Sequence, residues 1–311
     1  MAIYDYIKTF YGLNIEAFDH KKGIQNSNLA IRLEVGYDDA EDGLEMLAVL
    51  NALANDDKSG QIRALIIGVW QEAYEESIQP FIDFLVKNNS QFTSLTAIFF
   101  AEMTMEDNEI SWIQQGDYSA LWAAYPKLTH LQIRGAEGLS FGDIQGASLK
   151  TLIVETGGLA AEVLQQIADA QWPELEHLEL WLGDENYGWN GSIKDVQPLL
   201  SAEKFPQLKH LSLKNSEIQD DITVQVISSD LMSQLSVLDL SMGLMTDDGA
   251  EALLADKSKT EGLDVLDVSE NYLSDAMSMK LSDLAKTVKV QEQKIPDGDE
   301  DDEYRYVSVS E

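Results

Sequence analysis

Three of the chain's four histidines hold the same place in a repeated phrase: aromatic, Pro, any residue, Leu, any residue, His, Leu. It is written at Tyr125–Leu131, Trp172–Leu178 and Phe205–Leu211. Imidazole is a common metal ligand and titrates near neutral pH, so His130, His177 and His210 are the first candidates for chemistry. Two of them can share a metal if they fall on neighbouring strands. A zinc site, however, wants three or four ligands, and the spacing dictates no third. The recurrence has a plainer source: the proline and aromatic end one element, the leucines enter a core, and the histidine takes the outward strand position between them. We therefore expect scaffold histidines, with no metal and no cofactor.

Other chemistries lack their residues. Cysteine is absent, which excludes disulfides, thiolate metal sites and cysteine nucleophiles. Three acidic stretches invite calcium and fail as EF-hand loops. Ala40 stands where an oxygen ligand is needed, the stretch from Asp184 through Gly188 lacks the closing glutamate, and Asp297–Asp302 lacks the turn glycine. Neither a phosphate-cradling glycine loop nor a nucleophile elbow occurs. Carboxylate pairs are too plentiful in so acidic a chain to single out an acid and a base. The sequence reads as a non-enzyme.

The elements that carry the histidines recur. From the first Leu of each phrase the pattern is Leu-x-x-Leu-x-Leu, with clear copies at Leu128, Leu149, Leu175, Leu208, Leu235 and Leu263. Ile62, Leu95 and, more weakly, Ala30 open earlier copies, and Val288 with Val290 marks a closing strand. Between them Leu159–Ala168, Gly249–Leu254 and Asp275–Ala285 place apolar residues three or four apart, the helical period. Strand, helix and parallel strand therefore alternate. Here the chain resembles the leucine-rich repeat family, ribonuclease-inhibitor-like class. Leu263-Asp-Val-Leu-Asp-Val-Ser-Glu-Asn271-Tyr-Leu273 fits the family's strand, asparagine turn and following leucine, and Leu235–Leu254 departs only where Gly243 replaces the asparagine. Length and the Tyr304–Val309 ending further resemble a bacterial cytoplasmic branch, which adds no mechanism. The resemblance implies an α/β leucine-rich repeat solenoid, or horseshoe, of about 9–10 repeats, with parallel strands on the concave face and helices on the convex face. We divide it into an N-terminal cap segment (1–28), the repeat domain (29–290), and an acidic loop with a C-terminal capping strand able to pair with the last repeat (291–311).

Function then depends on what the strands display. The first strong copies show Ala64, Ile66 and Gly68, then Ala97, Phe99 and Ala101. An apolar patch on a face usually wet needs a cover, and the N-terminal segment and a partner are equal candidates. Later copies turn polar, with His130, Gln132 and Arg134, then His177, Glu179 and Trp181, then His210 and Ser212, then Asp239 and Asp267. Trp189 sits in the glycine-rich insertion Gly183–Gly191, and Trp70, Tyr74 and Tyr187 also follow strands, so aromatics are expected along one rim. The inner face from His130 to Asp267, with the Trp189 loop, is the expected contact surface for a protein partner.

Charge narrows that partner. Acids outnumber bases 55 to 21, a net charge of −34, which argues against nucleic acid and anionic membrane. A basic or neutral protein fits better. With no signal peptide and no membrane-length apolar run, a cytoplasmic location is expected. The expectation is a non-catalytic protein-protein interaction scaffold. The alternative is a GTPase-activating or other regulatory helper on the same fold, in which an arginine would stabilise phosphoryl transfer. Nothing in sequence marks Arg32, Arg63, Arg134 or Arg305 as that arginine, and self-association is left open.

Overall fold

The structure is a computed structural model and describes residues 3–144, 148–298 and 303–311. Positions 299–302 of the expected acidic loop lie outside the described residues. The chain divides into two compact units, residues 3–154 and 155–310.

In the first unit, β1 (Thr9–Phe10) pairs antiparallel with β2 (Leu13–Ala17). Parallel pairing then runs in chain order from β2 through β3 (Ala30–Leu33), β4 (Ala64–Ile67) and β5 (Ala97–Phe100) to β6 (His130–Arg134). The strand β7 (Thr151–Glu155) lies where the units divide. β4 and β5 read ALII and AIFF and are buried at every position, as strands covered on both faces must be. The crossovers carry helices with one apolar stripe. In Met46–Ala54 the buried Met46, Val49, Leu50 and Leu53 repeat at three and four residues, and Gln79–Lys87 starts on Pro80, whose missing N–H costs nothing in a first turn.

The second unit repeats the scheme with β8 (His177–Gly183), β9 (His210–Ser216), β10 (Val237–Asp239), β11 (Val265–Asp267) and β12 (Thr287–Lys289), all parallel and in chain order. Leu178, Leu211, Leu238, Leu266 and Val288 stand in one register line across the five strands, the spine of the core. Helices Gln219–Ser228, Asp247–Ala255 and Asp275–Leu281 fill the crossovers, the last two capped by the hydroxyls of Thr246 and Ser274. Asn271 is fully buried; its Nδ2 donates to the carbonyls of Leu240, Val268 and Ser269, and its Oδ1 accepts from Met245 N. One amide thus satisfies backbone groups from two successive repeats. The result is a repeat-built, solenoid-like α/β fold.

The apolar patch of the first unit is covered from within. Phe10 joins Ala30, Ala64, Ile66, Ala97 and Phe99 in one buried cluster, with Ile7, Leu13 and Ile15 packed against it. A buried ion pair fastens this cover. Arg32 forks onto fully buried Glu102 (Nε to Oε2 2.6 Å, Nη2 to Oε1 2.7 Å). Ile7 N donates to Glu102 Oε1 at 2.8 Å, and Arg32 Nη2 donates to Ile7 O at 2.9 Å. Burial pushes the Glu102 carboxyl above its ordinary pKa, against the pull of Arg32.

The C-terminal segment does not add a strand beside β12, as the sequence suggested. Asp297 and Tyr304 form an isolated antiparallel bridge, and the residues beyond cross the loops that follow β9, β10 and β11. Val309 is clasped by Asn215, whose Nδ2 donates to Val309 O (2.6 Å) while Oδ1 accepts from Val309 N (2.9 Å). Ser308 N donates to Met242 O, and Tyr306 N donates to the Tyr272 hydroxyl. Asn215, near the end of β9, and Met242, in the loop after β10, both hold positive φ (54° and 68°). The tail caps the loops after the strands, and its Val307 and Val309 are buried.

Candidate functional site

The expected contact residues of the second unit lie close together and satisfy one another. His177 and His210 are ladder neighbours, as the phrase spacing requires, with rings stacked 3.7 Å apart and 6° from parallel. His177 Nε2 lies 3.3 Å from Glu179 Oε2, at an angle short of a hydrogen bond. Trp181 Nε1 donates to Glu179 Oε1 at 2.8 Å, and Lys214 bridges Glu179 and Asp239, 3.1 Å from each. Asp239 also accepts from the Ser241 hydroxyl, and Asp267 accepts from the Ser269 hydroxyl and from Lys289.

Burial alone would raise the Glu179 carboxyl and lower Lys214. Instead the ammonium, the imidazole and the indole N–H hold Glu179 well below the usual carboxylate range, and Glu179 with Asp239 holds Lys214 above its own. Burial and the neighbouring His177 lower His210 to about 4, and its Nε2 lies 3.0 Å from Ser212 Oγ.

His177, Glu179 and His210 place one donor atom each within 4.8 Å of one another, the only such group among the described residues. Their arrangement argues against a preformed metal centre. Parallel rings 3.7 Å apart share no plane, so no ion can sit in both imidazole planes at the ~2.0–2.1 Å that zinc requires. Lys214, moreover, already occupies the carboxylate. A ring would have to turn and an ammonium leave.

The other expected contacts are placed as follows. Trp181 is 8 % and Trp189 3 % exposed, so neither indole is displayed as the rim expectation required. The Lys214 ammonium lies over the Trp181 ring at 5.2 Å, and Trp189 packs on Gly191 of its own loop, where a Cβ would meet the ring at 2.7 Å. Ser212, Asp239 and Asp267 are buried. In the first unit His130 packs edge-on against Phe10 and Tyr11 beneath the N-terminal segment, while Gln132 and Arg134 are buried. The Arg134 guanidinium lies over the Phe99 ring and donates to Met103 O. Arg32 and Arg134 are thus engaged inside the first unit.

What the first unit displays is different. Loops after β3, β4 and β5, with Tyr6 of the N-terminal segment, enclose an open pocket of about 690 Å³. Trp70, buried and T-shaped against Phe81, forms its floor, its Nε1 held by Glu76 O. Tyr37 (69 % exposed) and Tyr74 (46 %) stand at its mouth, and a shallower recess beside it runs from Tyr74 past Met105 to Trp112 (54 %). Glu34, Asp39, Glu72, Glu106 and Asp107 line the pocket, and no Lys, Arg or His does. The Tyr6 hydroxyl donates to Asp107 Oδ2 at 2.6 Å; burial first, and then that carboxylate, raises its pKa. Sequence reading noted Trp70 and Tyr74 as strand-following aromatics and passed over Tyr37 and Trp112. Tyr37, Trp70 and Tyr74 share a signal of position, each within seven residues of a strand end, whereas Trp112 lies far along the connection after β5 and carries no such signal.

A crystal structure of a Bacteroides fragilis protein from a structural genomics programme superposes with a TM-score of 0.79 at 31 % identity, covering 90 % of this chain and 76 % of that one. This chain belongs to the same family. No family model matches it, and no curated protein does. The likeness to the Bacteroides fragilis relative brings no substrate or partner with it. Among the described residues, no helix is long and apolar enough to cross a membrane.

Proposed function

We propose that this protein is a non-catalytic interaction scaffold that binds a basic protein partner through the post-strand loops of its first unit. The observation that carries the reading is the set of exposed Tyr37, Tyr74 and Trp112 among carboxylates, on loops held by a rigid sheet. Exposed aromatic clusters on a monomer mark contact surfaces, and Trp and Tyr dominate binding energies there. The polar strand residues of the second unit favour an internal role, since their charges are already paired. In architecture we read the repeats as leucine-rich, of the ribonuclease-inhibitor-like class, on the strength of the Leu263–Leu273 segment and the Asn271 turn. A chain without cysteine suits the reducing cytoplasm, where we place it.

Affinity capture from the source cells, with wild type beside a Tyr74→Ala/Trp112→Ala variant, tests the surface. Loss of a reproducible basic partner in the variant, with unchanged melting, is the expected result. Equal recovery of that partner would remove the reading.

A further inference from the structure

We infer that the pocket between Tyr6, Tyr37, Trp70 and Tyr74 receives an arginine side chain of the partner. The inference rests on the scaffold reading and names the chemistry of its contact. Five exposed carboxylates line the pocket with no base among its lining residues, so an anion is repelled and a cation attracted. Aromatic faces add to that cation a second attraction that carboxylates alone lack.

The choice among cations follows from the two kinds of wall. A quaternary ammonium uses aromatic faces but has no hydrogen to donate to a carboxylate. A lysine ammonium donates, yet it is a compact, strongly hydrated charge. A guanidinium does both, stacking its plane on a ring while its fork donates to a carboxylate pair of oxygens. Behind the pocket, outside its lining, the protein makes this arrangement once. Arg32 lies 5.2 Å beneath the Tyr6 ring while forking onto Glu102, so Tyr6 has one face taken by the protein's own guanidinium. The volume of about 690 Å³ exceeds one guanidinium and admits the adjoining main chain of an extended segment. Glu72, on the pocket loop, holds φ 56°, an uncommon conformation for a non-glycine residue and one that concentrates at binding sites.

The test titrates the full-length protein with a short, acetylated and amidated Gly-Ser peptide carrying one central arginine. Two sister peptides carry citrulline, the neutral isostere, or lysine. The arginine peptide should bind at least about tenfold more tightly than the citrulline peptide, the worth of a charge-assisted hydrogen bond, with lysine between them. Tyr37→Ala and the pair Asp39→Asn/Glu72→Gln should each remove most of that preference. These side chains are exposed, so unchanged melting should confirm an intact fold. Equal binding of arginine and citrulline, lysine matching arginine, or indifference to both variants would overturn the assignment. Failure here while Tyr74→Ala/Trp112→Ala still loses the partner defeats the arginine and leaves the scaffold. Arginine selectivity beside an unaffected partner defeats the scaffold surface instead.

Discussion

His210 makes the fold sensitive to mild acid. Its folded pKa is lowered from 6.5 to about 4, so between those values the unfolded chain takes up a proton that the folded one refuses. Stability therefore falls as pH drops from 6.5 toward 4, by roughly 2 kcal/mol once partial solvent screening is allowed for. Glu179, held low in the fold, adds a further loss below its unfolded value of 4.5. Urea unfolding at pH 7 and near pH 4.5 should show the drop, and His210→Gln should flatten the upper part of it. Trp189→Ala is expected to cost about 3–5 kcal/mol, read from the urea midpoint, because it empties a packed site. The Trp189 ring illustrates why residue roles were the least legible level. A tryptophan in a glycine-rich insertion reads as displayed, and only the contact with the bare Gly191 backbone shows that the loop folds on itself. The stacking of His177 on His210 was legible, since it follows from the spacing of the phrase. Strand alternation also puts Lys214 on that face, but does not foretell the bridge its ammonium makes between Glu179 and Asp239.

At the scale of elements the sequence was most readable. Helices expected at Gly249–Leu254 and Asp275–Ala285 stand at Asp247–Ala255 and Asp275–Leu281, because apolar period and capping hydroxyl agree there. The ends escaped it. Chain composition says that residues 3–28 must cover something, but the Arg32 and Glu102 fork that fastens them joins positions 70 apart. Arg32→Ala should therefore cost about 3–5 kcal/mol by leaving a buried carboxylate unpaired, and proteolysis should shorten the N-terminal segment first. The tail is held by a side chain gripping backbone, a contact without residue-type signature. Asn215→Gly removes both Val309 hydrogen bonds and keeps the positive φ, so brief protease treatment should cut near Tyr304–Tyr306 while the repeats survive.

For the whole molecule, charge decides behaviour and coverage decides function. A net charge of −34 repels itself, so raising ionic strength from low to physiological should raise the melting temperature by a few degrees and weaken capture of a basic partner. Opposite movement of the two in one salt series is the expected signature. Repetition made the fold readable, since each Leu-x-x-Leu-x-Leu copy restates the same burial. The proposed contact surface was not readable from the same pattern. Whether a strand face such as that of Ala64 and Phe99 is free depends on what lies over it, and here Phe10 does.

The two clasps also set a timetable. Ile7 meets Glu102 across 95 positions, and Asn215 meets Val309 across 94. On a ribosome the first unit has every partner it needs once residues up to β7 have emerged, and it can close while the rest is still being made. The second unit has no such early finish. Asn215 waits with its Oδ1 unmatched by Val309 until position 309 leaves the tunnel, so a stalled chain would carry a finished first half and an open second one.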